Sequence, residues 1–473
     1  MNEPMYWGPP PKERRPFDRR LLWVAAAVIV VVALAITAVV LVISRDESAA
    51  RRPEGLLAGT YPQQPTAAWT VRAADLLPGS TVWTPNTEID MGSWSLRGLI
   101  DAGDRIVVRV VDASTHRTAR LVALDAATGR TAWAIPFGPL GGCAAHLVSG
   151  LLACISDDDV VFIKMSDGGI ASKYTPDFMP GDVASDGNAV VVAGGVAHDS
   201  QSVNYEKVIS SGTVNDPAKF WTTKVDATLC HNGNSDELDV RVDDGFVGTN
   251  LGMPDAALKL GDGSTLVDDA AWLVAVFPGT GAVVARCIDG YPPKGDQATF
   301  FGPDAQRYRT GPAPVEPMMW VTALANPPVL LPNGTAVDFV TGDQKWSAPS
   351  LAGLYEKYSL VGDVAVHATG TTVTAYDMHT GKSRWSTSRP DQNWLPTITD
   401  GARVIGTGAG RVIALSLTDG STAWTFKEHV VGDDYLAAEV AQAGLVTMTA
   451  DAISLYRPTG GPSHVPGEIG TRR

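Results

Sequence analysis

One short pattern returns along this chain and limits what it can fold into: alternating apolar residues, a turn, a glycine, and a tryptophan four residues after the glycine. The clearest copies are LVALDAATGRTAWAI (Gly129, Trp133), AVDFVTGDQKWSA (Gly342, Trp346), VTAYDMHTGKSRWST (Gly381, Trp385) and VIALSLTDGSTAWTF (Gly420, Trp424). Weaker copies keep the glycine and lose the tryptophan, with Ser172 after Gly168 and Ala285 after Gly281; Trp221 marks another, its turn obscured by an insertion around residues 211–217. Trp346, Trp385 and Trp424 are 39 residues apart, as are Trp133 and Ser172. A period near ~40 residues is that of one four-stranded propeller blade.

The physics of the pattern is local. Strands alternate their side chains between two faces, and the Thr-Gly or Asp-Gly step supplies the positive φ that a tight hairpin needs. The tryptophan of the outer strand then packs on the neighbouring blade, so Trp69, Trp133, Trp346, Trp385 and Trp424 are read as packing residues rather than a functional site. The chain ends fit a ring. After Asp451, ISLYRPTGG repeats strand and turn but reaches His464 where the tryptophan belongs, while TAAWTV around Trp69 matches STAWTF around Trp424 and lacks a preceding turn. Trp69 therefore supplies the missing outer strand and removes an exposed sheet edge. Outer-strand positions 69, 133, 172, 221, 285, 346, 385 and 424 predict an all-β chain forming an eight-bladed β-propeller, or seven blades if residues 173–272 hold fewer.

The Ala-x-Asp-x-x-Thr-Gly-x-x-x-Trp signature resembles the PQQ-like, quinoprotein-type β-propeller repeat family from about Trp69 to Gly460, strongly in four blades. That family holds both PQQ-dependent alcohol dehydrogenases and non-catalytic propellers such as the scaffold lipoprotein of the outer-membrane barrel-assembly machinery. The resemblance implies the fold and leaves the function open. A dehydrogenase of this kind implies adjacent cysteines over the quinone, a calcium held by carboxylate and amide groups, and a catalytic Asp. No two cysteines are adjacent here, and neither the base nor the calcium ligands can be placed.

Residues 21–43 carry no charge, and at about 1.5 Å per helical residue they cover roughly 35 Å, enough for a ~30 Å hydrocarbon core. Lys12, Arg14, Arg15, Arg19 and Arg20 precede this span, which puts the N-terminus in the cytoplasm. So long an apolar core, with no clear small-x-small site between it and Asp46 and Glu47, is a retained anchor rather than a cleaved signal. The expected organisation is a basic, Pro-rich cytoplasmic tail (1–20), a transmembrane helix (21–43), a linker (44–64), an extracytoplasmic propeller (65–464) and a flexible tail (465–473). This is a single-pass protein of the cell (inner) membrane, with the propeller close to the bilayer.

Residues 1–52 hold 8 basic and 5 acidic side chains, so 29 basic and 46 acidic residues remain beyond them, a charge of about −17. Nucleic acid and anionic head groups are poor partners for such a surface. Four cysteines in an oxidising compartment suggest disulfides, preferably Cys143 with Cys154 and Cys230 with Cys287; four buried thiols are the alternative. AAHLVSGLLA between the first two reads as two short strands joined near Ser149 and Gly150, which sets those cysteines opposite each other. The second pairing is mainly by elimination.

No metal or cofactor site emerges. Asp157, Asp158 and Asp159, and Asp243 with Asp244, lack calcium-loop spacing and read as hairpin turns; HExxH, CxxC and GxSxG are absent. GTGAGR at residues 406–411 is half a dinucleotide fingerprint between two strands, and the Asn333 sequon also reads as a turn. The period stretches to 64 residues from Trp221 to Ala285 and to 61 from there to Trp346, which suggests loop insertions. Within residues 291–328 lie Phe300, Phe301, Tyr308, Met318, Met319 and Trp320, side chains of the kind that anchor protein interfaces if displayed on a loop; the alternative is burial within the chain. The expected function is a non-catalytic scaffold or accessory subunit that docks a membrane or cell-envelope protein. Two alternatives stand beside it: a small-ligand sensor using the central channel, and a PQQ-dependent dehydrogenase.

Overall fold

In a computed structural model, the structure describes residues 52–82, 99–112, 119–137, 142–197, 205–225, 239–250, 256–267, 271–286, 298–324, 326–352, 358–391, 394–429 and 436–463. The expected cytoplasmic tail, the expected span at 21–43, residues 44–51 of the linker, Cys230, Cys287 and the tail at 465–473 lie outside these residues. Among the described residues no helix is long and apolar enough to cross a membrane.

Among the described residues the strands form nine sheets, almost wholly antiparallel, and each is one blade of a β-propeller. The motif explains why its residues build these blades. In blade 1, between the third strand (Ala119–Asp125) and the outer strand (Thr131–Phe137), Asp125 Oδ1 accepts from Thr128 N at 2.9 Å and Thr128 Oγ1 at 2.8 Å. Gly129 N donates to Asp125 O at 2.8 Å with Gly129 at φ 72°. The Asp caps the turn and the Gly supplies the left-handed step. Asp377, Thr380 and Gly381 repeat this arrangement in blade 7.

Blade 9 closes the ring. Its first three strands (Ala437–Ala441, Gly444–Met448, Ala452–Tyr456) come from the C-terminus, and its outer strand is Ala67–Arg72, with Trp69 opposite Leu455. In blade 2 the inner stretch pairs Val148 with Leu151 through a two-residue turn in which Ser149 has φ 50° and Gly150 φ 77°. That hairpin sets Cys143 opposite Cys154, Cα atoms 4.0 Å apart, and the two are disulfide-bonded as expected.

The blade count departs from the expected eight. Gly281 opens the second strand of blade 5 (Gly281–Arg286), opposite Phe277 at the end of the first (Ala271–Phe277), and Ala285 sits inside the sheet between Trp272 and Ala298. The true outer positions are Val267, four residues after Gly263 in blade 4, and Arg309 on the outer strand Arg307–Gly311 of blade 5. Steps of 46, 42 and 37 residues then connect Trp221 to Trp346. What reads as two insertions is one further blade whose signature has lost its tryptophan.

The aromatic segment is likewise no displayed loop. Phe300 and Phe301 lie on the third strand of blade 5 (Ala298–Phe301), and Met318, Met319 and Trp320 on the strand Pro317–Val321. Phe300, Phe301, Met319 and Trp320 are buried, and Tyr308 and Met318 half-buried. Phe339 gathers Phe277, Phe300 and Tyr308 edge-on, with centroids 5.5, 5.2 and 6.3 Å away. An all-aromatic core of this kind stabilises through area and edge-to-face contact, so these residues hold blades 5 and 6 together.

Candidate functional site

A propeller offers two places for function, the seams between blades and the wall of its central channel. At the seams, five outer-strand indoles reach the turn between the third and fourth strands of the next blade. Trp133 Nε1 donates to Met165 O (2.9 Å), Trp221 to Leu260 O (2.7 Å), Trp346 to Met378 O (2.8 Å), Trp385 to Leu417 O (2.8 Å) and Trp69 to Ala126 O (3.1 Å). The ring face lies on the turn glycine: a Cβ at Gly129 would come 2.8 Å from Trp69 Cδ2, and one at Gly168 2.9 Å from Trp133 Cδ2. Glycine is required there twice over, for φ and for space.

Where the tryptophan is missing, another side chain performs its task. Ser172 Oγ donates to Val214 O at 2.9 Å in the turn of blade 3. Arg309 Nε donates to Phe339 O at 3.0 Å, its Cδ lies against Gly342, and its guanidinium carbon sits 3.5 Å from the centre of the Phe300 ring. Burial lowers the Arg309 pKa, with Asp338 opposing that shift. Carboxylates tie other seams: Asp182 Oδ2 accepts from Val240 N (2.7 Å), Asp244 Oδ2 from Gly279 N (2.7 Å) and Asp101 Oδ2 from Gln442 N (2.6 Å).

The channel wall carries a feature that the sequence did not disclose. By chain order Pro317–Val321 should be the inner strand of blade 6, whose remaining strands are Val329–Leu330, Asn333–Val337 and Gln344–Ala352. It pairs instead in parallel with Tyr358–Val361, the inner strand of blade 7, with Trp320 opposite Leu360. It therefore lies inside the ring, along an edge that other blades leave towards the channel. Trp320 packs edge-on against Phe277 of blade 5 at 4.9 Å, and Met319 and Val321 join the core between blades 7 and 8. Just before the strand, Glu316 meets Arg241 of blade 4 at 3.1 Å. Beside it, Thr399 of blade 8 exchanges backbone bonds with the segment after Pro53: Leu57 N to Thr399 O at 2.9 Å and Thr399 N to Gly55 O at 2.8 Å.

Little chemistry is assembled. Among the described residues no group of three or more His, Cys, Asp or Glu side chains is placed to hold a metal ion. Asp157 (φ 53°) and Asp244 (φ 43°) sit in hairpin turns, as do Ala409 and Gly410 of the GTGAGR stretch. Asn333 Oδ1 accepts from Thr335 N at 3.0 Å, closing its turn. His367, on the second strand of blade 7, is buried, its Nε2 has no hydrogen-bond partner, and burial with the Arg389 charge lowers its pKa to about 4. It is a neutral core histidine, far from the properties of a general base at neutral pH.

Comparison with known proteins follows the same line. Residues 333–461, from the third strand of blade 6 through blade 9, match the model of the family described as outer membrane protein assembly factor BamB. No curated protein matches the chain. Among solved structures, BamB from Moraxella catarrhalis is similar at 12% identity, covering 84% of this chain and 98% of that one with a TM-score of 0.44. A quinohemoprotein alcohol dehydrogenase from Comamonas testosteroni is similar at 12% identity, covering 88% and 82% with a TM-score of 0.42. The quinohemoprotein alcohol dehydrogenase ADHIIG from Pseudomonas putida HK5 is similar at 11% identity, covering 89% and 80% with a TM-score of 0.45. At such identities the likeness is one of fold alone. With its Asp-x-x-Thr-Gly turns, its seam tryptophans and the match over residues 333–461, this part of the chain is similar to the PQQ-like β-propeller repeat family.

Proposed function

We propose that the protein is a non-catalytic scaffold of the cell envelope, held in the cell membrane by residues 21–43 with its N-terminus in the cytoplasm. Its propeller is extracytoplasmic and docks a membrane or envelope protein. The observation that carries this reading is the strand Pro317–Val321. It covers the inner edge of blade 7, and the segment from Gly55 to Leu57 covers blade 8 beside it, so the chain's own backbone lies along the wall where a channel ligand would bind. The match to the BamB family model supports an accessory role of this kind. Both alternatives, a channel-binding sensor and a quinone-dependent dehydrogenase, need that wall free.

Cross-linking mass spectrometry in intact cells tests the scaffold reading. Links from the propeller to one recurring membrane or envelope protein are expected. Repeated purification of the protein alone from detergent-solubilised membranes would count against it. Reduction of an artificial electron acceptor only after PQQ and calcium are added would replace it with the enzyme reading.

A further inference from the structure

Blade 8 meets blade 9 differently from every other tryptophan-bearing seam among the described residues. Trp424 Nε1 donates not to the turn of the next blade but to Tyr61 O, at 2.7 Å. Tyr61 is fully buried and spends each of its polar groups on this seam. Its backbone N donates to Asp400 Oδ2 of blade 8 at 2.8 Å. Its hydroxyl donates to Tyr456 O at 2.8 Å and accepts from Leu445 N at 3.0 Å, both in blade 9.

The residues before Tyr61 extend the attachment in two directions. Inward, Leu57 is fully buried, Leu56 bridges to Thr399 in parallel, and Gly55 lies against Met319 of the channel strand, where a Cβ would be 2.8 Å from Sδ. Outward, Thr60 N donates to Gly461 O (2.9 Å), Gly460 N to Thr60 O (3.0 Å), and Ser463 Oγ to Leu57 O. One short segment outside every blade thus touches blade 8, blade 9, the C-terminal residues and the strand inside the ring.

We propose that Pro53–Tyr61 is a ring latch, one segment whose seating holds both the closure of blades 8 and 9 and the position of Pro317–Val321 in the channel. The bonds at Tyr61 replace those that a continuous turn makes elsewhere, so this seam holds only while the latch is seated. Seams 1–2 and 3–4, where Trp133 and Trp221 donate directly to the turn of the next blade, are closed without the latch and do not respond.

Hydrogen-exchange mass spectrometry on the full chain in detergent micelles, wild type against Tyr61→Ala, tests the latch. Exchange is expected to quicken about tenfold or more in residues 411–427, 437–456 and 317–321, with blades 2 to 4 unchanged. Uniform quickening over all blades, or none at 437–456, overturns the proposal. Should Tyr61→Ala not fold, Tyr61→Phe removes only the hydroxyl. It is expected to quicken 444–456 selectively, and an unchanged exchange pattern there overturns the proposal equally.

Discussion

Seams 6–7 and 7–8 and the seams around blade 5 solve one problem with different materials. In the first pair, Trp346 and Trp385 each lay an indole on a turn glycine and donate at 2.8 Å to the carbonyl of Met378 or Leu417. Around blade 5 the outer positions are Val267 and Arg309, and cohesion comes from an aromatic group about Phe339 and from a guanidinium over Phe300. A blade seam therefore needs apolar area plus a hydrogen bond to the neighbouring blade, and it does not need tryptophan. Blade 2, with Ser172, meets the need with a hydroxyl donor and a disulfide on its inner hairpin.

The difference can be broken most severely at Trp385. Trp385→Ala is expected to cost about 3–5 kcal/mol in chemical denaturation, because it removes both buried area and the donor to Leu417 O. Replacing Cys143 and Cys154 together by Ser should cost about 2–3 kcal/mol, the loop they close having a separation of 11 residues; a denaturant midpoint equal to wild type would remove the disulfide from the account of blade 2. Gly381→Ala meets Trp346 at a φ of 68° and should cost about 1–3 kcal/mol, measurable as a lowered Tm. Arg309→Lys keeps the charge and loses the planar Nε bond to Phe339 O, and a loss of about 1 kcal/mol is expected. No loss on that change would mean that area alone holds seam 5–6.

Acid should separate the regions in another way. His367 has a folded pKa near 4 against 6.5 ordinarily, so it favours the neutral form when folded. Its contribution is complete above about pH 6.5 and is lost as pH falls towards 4, because the unfolded chain takes up the proton first. Tm measured from pH 7 to 4 should therefore fall less steeply in His367→Gln than in wild type, and parallel curves would exclude His367 as the cause.

The repeat was legible where glycine and tryptophan survive together, and so was the closure, because Trp69 and the tail after Asp451 each lack what the other has. Ser149 and Gly150 revealed the blade 2 hairpin for a similar reason: a two-residue turn with positive φ has few possible sequences. Blades 4 and 5 escaped because Val267 and Arg309 are chosen by the shape of a seam, and shape leaves no fixed letter in a sequence. The same holds for Phe300, Met319 and Trp320. An aromatic, Pro-containing stretch reads alike on a loop and in a core, and only pairing with Leu360 shows that Trp320 belongs to a strand inside the ring. The latch was hidden in what reads as linker, since Leu57 and Tyr61 form no periodic pattern.

The bond from Tyr61 to Tyr456 spans 395 positions of the chain. Single blades close over tens of residues and can form as synthesis proceeds, but this contact joins a residue close to Arg52 to the third strand of blade 9. Loop-closure entropy and contact order make such pairing late and slow. The nascent chain must therefore carry a waiting edge, the strand Ala67–Arg72, until its partner appears. The slowest folding step and the period of greatest exposure to aggregation both belong to ring closure.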